Sequence, residues 1–261
     1  MKVKDIQQFL NSLGPGPYPE EKIYVGSEEE TVTNILVCWM AGLRGLRAAA
    51  ERECDLVVCH ESPFLGVTRD GDYERFMSWD VNERRKELAQ ANGLTVLQCH
   101  RTADSYCIAD VIQEKLNLPE PAIMENMAGH EAVRIFKVAT APLKKLVEGW
   151  KDAVGMKTVR VYAPDLERPV SKIGLCWGGI GLHLNMGVMN RLVRLGVDVL
   201  LGGETEEFSA TFCADMDVAF VELGHLKTEQ PGLMVLADVL EERFPEITVH
   251  RFREESPWDF V

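Results

Sequence analysis

Two histidine–carboxylate pairs, each four residues apart and each following an apolar run, are the parts of this sequence best suited to chemistry. His225 and Glu229 lie in Gly224-His-Leu-Lys-Thr-Glu-Gln-Pro-Gly232, directly after the apolar residues 218–223. If a helix opens there, the spacing stacks both side chains on one face of its first turn. His100 and Asp104 repeat the arrangement after residues 95–99. A third apolar run, 55–59, ends in His60-Glu61, and a fourth ends in Gly202-Gly203-Glu204. A set of imidazoles and carboxylates suits zinc, iron or manganese. Gathering several acids also needs cations to offset their repulsion, and no Lys or Arg cluster is interleaved, Arg101 and Lys227 being isolated.

The elements that must position these residues follow from periodicity. A short amphipathic helix over 2–13 is stopped by Gly14-Pro-Gly-Pro17. Strand 34–39, helix 41–53 and strand 55–59 come next, then a polar loop holding Gly66, Gly71 and Trp79. Helix 81–91, strand 94–99 and a helix to about 118 complete the first part. Pro119-Glu-Pro121 is the clearest internal boundary, which sets lobes at 1–120 and 121–261. Beyond it the pattern predicts strand 132–138, helix 143–154 and strand 158–162.

An earlier pattern then returns. Ile35-Leu-Val-Cys-Trp39 is echoed by Ile173-Gly-Leu-Cys-Trp177, Asp55–Glu61 by Asp198–Glu204, and Thr95–Asp104 by Phe220–Glu229. Three matches in one order predict a diverged repeat, with a second-lobe core over about 170–250. Alternating strands and helices with near-continuous apolar strands predict an α/β fold of two related lobes, with mainly parallel, helix-covered sheets. Ligands of such sheets gather at the carboxyl ends of the strands, where all seven candidate residues fall. Trp177-Gly-Gly-Ile-Gly-Leu-His183 lies between a strand and a helix and could cradle a phosphate on backbone N–H groups, but it lacks both the full dinucleotide fingerprint and a P-loop lysine, so a tight structural turn is the preferred reading. No residue is assigned to an organic cofactor.

Composition narrows the class. With 46% apolar and 26% charged residues the chain is neither disordered nor membrane-embedded in type. No apolar run approaches the roughly 18 residues of a membrane span, and the N-terminus carries no signal-peptide pattern. The net charge of −13 argues against a nucleic acid polymer as partner. Seven cysteines, without a C-x-x-C pair, read as reduced core residues of a cytoplasmic protein.

The motifs resemble those of the Nif-three-like dinuclear metal-centre proteins, also called GTP cyclohydrolase I type 2 homologues. Gly224-His-Leu-Lys-Thr-Glu-Gln-Pro-Gly-Leu233 is similar to that family's G-H-Y-A-T-E-R-P-G-L signature. Leu56–Pro63 resembles its apolar strand ending in H-H-P, Cys99–Asp104 its A-H-T-N-L-D, and Leu200–Glu204 its T-G-E segment. Carried over position by position, the resemblance implies His60, Asp104, His225 and Glu229 as metal ligands. The family's second histidine falls on Glu61, and its W-D-N-x-G-L pattern is poorly kept, with only Val25-Gly26 recognisable. Glu61 is read as a ligand or near-ligand that turns the site toward harder metals, since oxygen replaces nitrogen. The resemblance also implies two α/β lobes with a pair of divalent ions between them, and a homo-oligomer, often a toroidal hexamer.

The expected activity is metal-dependent hydrolysis of a small nucleotide-like or phosphorylated molecule. His100 and Glu204 would then support the ligands or move protons. The competing expectation is a non-enzymatic protein that binds or hands on metal.

Overall fold

A computed structural model of the chain describes residues 1–67, 72–127 and 129–258. Gly71, in the expected polar loop, lies outside them. The chain runs through α1 (Val3–Ser12), β1 (Ile23–Val25), β2 (Asn34–Met40), α2 (Leu43–Glu51), β3 (Leu56–Glu61), α3 (Asp72–Phe76), α4 (Asp80–Ala91) and β4 (Thr95–Gln98). A broken helix follows: α5 (Arg101–Ala103), a π-helical turn (Asp104–Ile108) and α6 (Ala109–Lys115). Then come β5 (Ile123–Met127), β6 (His130–Pro142), α7 (Leu143–Ala153), β7 (Arg160–Tyr162), β8 (Pro169–Cys176), two 3-10 turns (Gly178–Gly181 and His183–Asn185) and α8 (Met186–Arg194). The chain closes with β9 (Val199–Gly202), α9 (Glu207–Asp215), β10 (Ala219–Glu222), α10 (His225–Arg243) and β11 (Thr248–Arg251).

Local sequence explains most of these elements. Ile35, Leu36, Val37 and Cys38 are all buried, as expected of a central strand covered on both faces. α1 buries Val3, Ile6 and Leu10 at helical spacing, and α2 turns Leu46, Ala48 and Ala49 to the core.

The chain forms two compact units. One comprises Met1–Cys107 with Gly232–Glu255, the other Ile108–Pro231 with Ser256–Val261. The sequence pattern places a single boundary near 120. The C-terminal stretch instead returns to the first unit, because β11 pairs in parallel with β2 (Val249 opposite Ile35). The first sheet has the order β1-β4-β3-β2-β11 and the second the order β5-β6-β8-β9-β10-β7.

The internal repeat is written into this topology. In each sheet three consecutive strands pair in parallel, β2-β3-β4 and β8-β9-β10, and a short antiparallel strand (β1 or β7) flanks the last of them. The second sheet adds β5 and β6, which pair antiparallel because only two residues separate them, too few for a crossover. One device recurs in both copies. Asp55 Oδ2 accepts the Thr33 and Asn34 N–H groups at 2.7 and 3.0 Å, and Asp198 Oδ2 accepts those of Ser171 and Lys172, each at 2.8 Å.

The ladders also correct one register. Leu56 pairs with Thr95, and its counterpart Val199 pairs with Ala219, not with Phe220. Counting on from there, His100 matches Gly224 and Asp104 matches Thr228. The two His-x3-acid pairs are therefore offset by one residue within a duplicated fold.

Candidate metal centre

In the first unit, β3 delivers His60 and Glu61 at its carboxyl end, and the turn after β4 delivers His100 and Asp104. His60 is fully buried and Asp104 nearly so. His60 Nε2 lies 3.9 Å from Asp104 Oδ1, and His100 Nε2 lies 3.9 Å from Asp104 Oδ2. These gaps are too long for hydrogen bonds. They fall within the roughly 4.2 Å that two donors can span across one ion, at about 2.1 Å per bond. The His60 and His100 rings meet edge to face with centroids 4.6 Å apart. His60, Glu61 and His100 each present a ligand atom within 4.8 Å of the other two. Asp104 also opens the π-helical turn, a distortion that recurs at functional sites.

One residue that the sequence pattern does not reveal holds this group in place. Glu21, 5% exposed, accepts the Thr102 N–H at 2.7 Å and the Thr102 hydroxyl at 2.6 Å. Burial pushes its carboxyl above the usual range against the pull of the Thr102 and His100 hydrogen bonds. It thereby fixes the turn that links His100 to Asp104. Among the described residues no thiol belongs to a donor group, and burial pushes Cys59 up to about 12 and Cys99 well above its ordinary value.

In the second unit, Glu204 follows β9, while His225 and Glu229 occupy the first turn of α10. His225 stands between two carboxylates. Its Nδ1 meets Glu204 Oε2 at 2.8 Å and its Nε2 meets Glu229 at 3.1 Å. An imidazole nitrogen without a proton cannot donate, so the contact at Nε2 needs either a proton or a cation between the two groups. A carboxylate on the far nitrogen is the arrangement that orients a metal-binding histidine.

The glycine turn after β8 is shaped around this pair. Gly178 has φ +54°, and a Cβ there would fall 1.7 Å from Glu229 Oε1 and 3.2 Å from His225 Nε2. The Gly178 N–H is held by Thr228 Oγ1 at 3.0 Å. The turn is thus a structural one. Gly203, the counterpart of His60, is equally constrained: a Cβ would meet Gly178 O at 2.4 Å and Gly178 N at 2.5 Å. No histidine fits at 203, so the two repeats cannot supply matching ligands. Behind Glu204, the Arg160–Glu222 pair grips Thr205, whose N–H reaches Glu222 Oε2 at 2.9 Å and whose carbonyl accepts Arg160 Nη2 at 2.7 Å.

The donors are mixed imidazole and carboxylate, the chemistry of a zinc, iron or manganese ligand set, and His60, Asp104 and Glu229 are buried from water. All seven cysteines are buried and unbridged. No helix among the described residues is long and apolar enough to cross a membrane.

The family model described as Duf34/NIF3 (NGG1p interacting factor 3) matches residues 1–257. The "GTP cyclohydrolase 1 type 2 homolog" of Clostridium perfringens is 22% identical over the whole of both chains. Its namesake in Clostridium acetobutylicum is 22% identical, covering 92% of this chain and 90% of that one. Among solved structures, a Bacillus cereus protein related to NIF3 superposes with a TM-score of 0.79 at 12% identity, covering 100% of this chain and 99% of that one. At that identity the likeness carries the fold, not the chemistry.

Proposed function

Because the chain belongs to the Duf34/NIF3 family, we propose that it is a divalent-metal protein whose centre performs metal-dependent hydrolysis of a small nucleotide-like or phosphorylated molecule. The ligands are His60, Glu61 and Asp104 in one unit and His225 and Glu229 in the other, serving the pair of ions that the family resemblance implies. The observation that carries this reading is His225, flanked by Glu204 and Glu229 beneath a glycine that leaves room for no side chain.

Divalent ions, when bound, supply Lewis acidity that lowers the pKa of water and offsets oxyanion charge. The protein's own groups do the rest. Glu204, accepting from Nδ1, keeps the Nε2 lone pair of His225 pointed at Glu229 and fixes the ring. Asp104 and Glu229 contribute negative charge from buried positions, where screening by water is weak. His100, half-buried at the edge of its group, is placed to take or return a proton.

Buried ligands such as His60 and Glu229 also suit a non-enzymatic protein that holds or hands on metal. The reading places the chain in the cytoplasm, consistent with seven unbridged cysteines, and in a homo-oligomer, a hexamer by resemblance. The deciding experiment compares wild type with Glu229→Ala. Elemental analysis should show most bound metal lost while circular dichroism is retained, and any hydrolysis of nucleotides or phosphate esters should disappear with it. Full metal occupancy in the variant would overturn the ligand assignment. Metal loss with no turnover of any such compound by wild type would favour the holding role.

A further inference from the structure

Arg85, on α4, is a buried cation with no acid beside it among the described residues. It is 9% exposed, and Nη1 donates to the Pro63 carbonyl at 2.7 Å and touches the Met40 sulfur at 3.6 Å. Nε is buried with no hydrogen-bond partner, and no carboxylate among the described residues lies within ion-pair distance. Burial lowers its pKa, as expected of a cation taken from water without compensation. Arginine in such a place ordinarily has a carboxylate or a phosphate opposite it.

The guanidinium faces the start of α2. Its Nη2 is the nearest heavy atom to a side chain added at Gly42, the N-cap of that nine-residue helix, at 3.7 Å. α2 has no side-chain cap and no acid in its first turn. Among the described residues the N–H groups of Leu43, Arg44 and Gly45 have no protein acceptor. Of the acids at this edge of the sheet, Glu254 is engaged by the N–H groups of Trp39 and Met40, and Glu61 ends β3 opposite Met40. Free N–H groups at a helix start and an uncompensated guanidinium are two halves of an oxyanion site. They meet at the carboxyl ends of β2 and β3, where Met40 pairs with Glu61 across the ladder.

We propose that Arg85 and the amino end of α2 bind the phosphoryl group of the substrate, beside the His60–Glu61 ligands. This deepens the hydrolase reading above, and it specifies an anion anchor that reads the substrate without touching metal. The guanidinium would give two parallel N–H donors to the phosphoryl oxygens, and the helix start would give backbone donors from the other side.

The test uses metal-free full-length protein and inorganic phosphate as probe, titrated calorimetrically and by thermal melt at constant ionic strength. Wild type should bind phosphate and melt at a higher temperature in its presence. Arg85→Gln should weaken phosphate binding about tenfold or more. Arg85→Lys, a point charge without the fork, should fall between and covers the case in which the Gln variant does not fold. Both variants should retain wild-type metal stoichiometry, which keeps this result separate from the metal assignment. Absence of phosphate binding by wild type, equal binding by the variants, or equal protection by acetate would each overturn the proposal.

Discussion

Replacing Gly178 by alanine adds one methyl group and should disable metal binding in the second unit. Alanine at φ +54° costs about 1–2 kcal/mol by itself. Its methyl would stand 1.7 Å from Glu229 Oε1, so the carboxylate must retreat by roughly 1.5 Å or more to reach ordinary contact. Retreat is the cheapest relief, because the alternative moves the backbone held by Thr228. It breaks the 3.1 Å contact with His225 Nε2, and with it the shared position for an ion. We expect a stability loss of about 2 kcal/mol, hence a melting temperature lower by roughly 4–8 °C for a chain of this length. Metal affinity should fall on the order of 100-fold, as when a supporting group is lost or worse.

Competition with a graded chelator on metal-free protein measures the affinity, and calorimetry the stability. Gly179→Ala is the matched control. Its methyl would lie no closer than 3.3 Å to His225 and 3.4 Å to Leu182, and it should bind metal nearly as wild type does. If Gly178→Ala binds zinc or manganese with wild-type affinity, Glu229 does not hold an ion together with His225.

Three further outcomes are expected. Glu61→His should raise the preference for zinc over manganese in titrations of metal-free protein, and identical preference in the two proteins would make Glu61 a bystander. Sedimentation at micromolar concentration should show an assembly, a hexamer by resemblance; a lone species at the chain's 29.3 kDa would refute it. Glu254, whose carboxyl burial pushes above the usual range, gives a pH dependence of defined sign. The folded state holds this proton more tightly than the unfolded chain. The stability it contributes is therefore full below about pH 4.5 and lost as pH rises through the folded value. Urea unfolding of metal-free protein at pH 4.5 and 7 should show wild type losing more stability over that interval than Glu254→Gln, and parallel losses would contradict the burial argument.

The sequence by itself determined where the candidate donors lie along the chain. His60, Glu61, His100, Asp104, Glu204, His225 and Glu229 were legible because each ends or follows an apolar run, and a strand's end is set by local pattern. The duplication was legible too, since Ile35–Trp39 and Ile173–Trp177 share Ile, Cys and Trp at the same three positions. Tertiary structure decided what pattern could not carry. The repeat register differs by one residue at the third strand because ladder pairing, not side-chain likeness, sets Thr95 against Ala219. β1 and Glu21 carry no sequence signal, because three residues between prolines and acids have too little periodicity and a carboxylate's burial depends on Thr102, distant in sequence. The return of β11 to β2 is a pairing across more than 200 residues. Gly178, Gly203 and Arg85 gain their meaning only from neighbours. A glycine is obligatory when another chain segment occupies its missing Cβ, and an arginine is uncompensated only when folding has removed it from water.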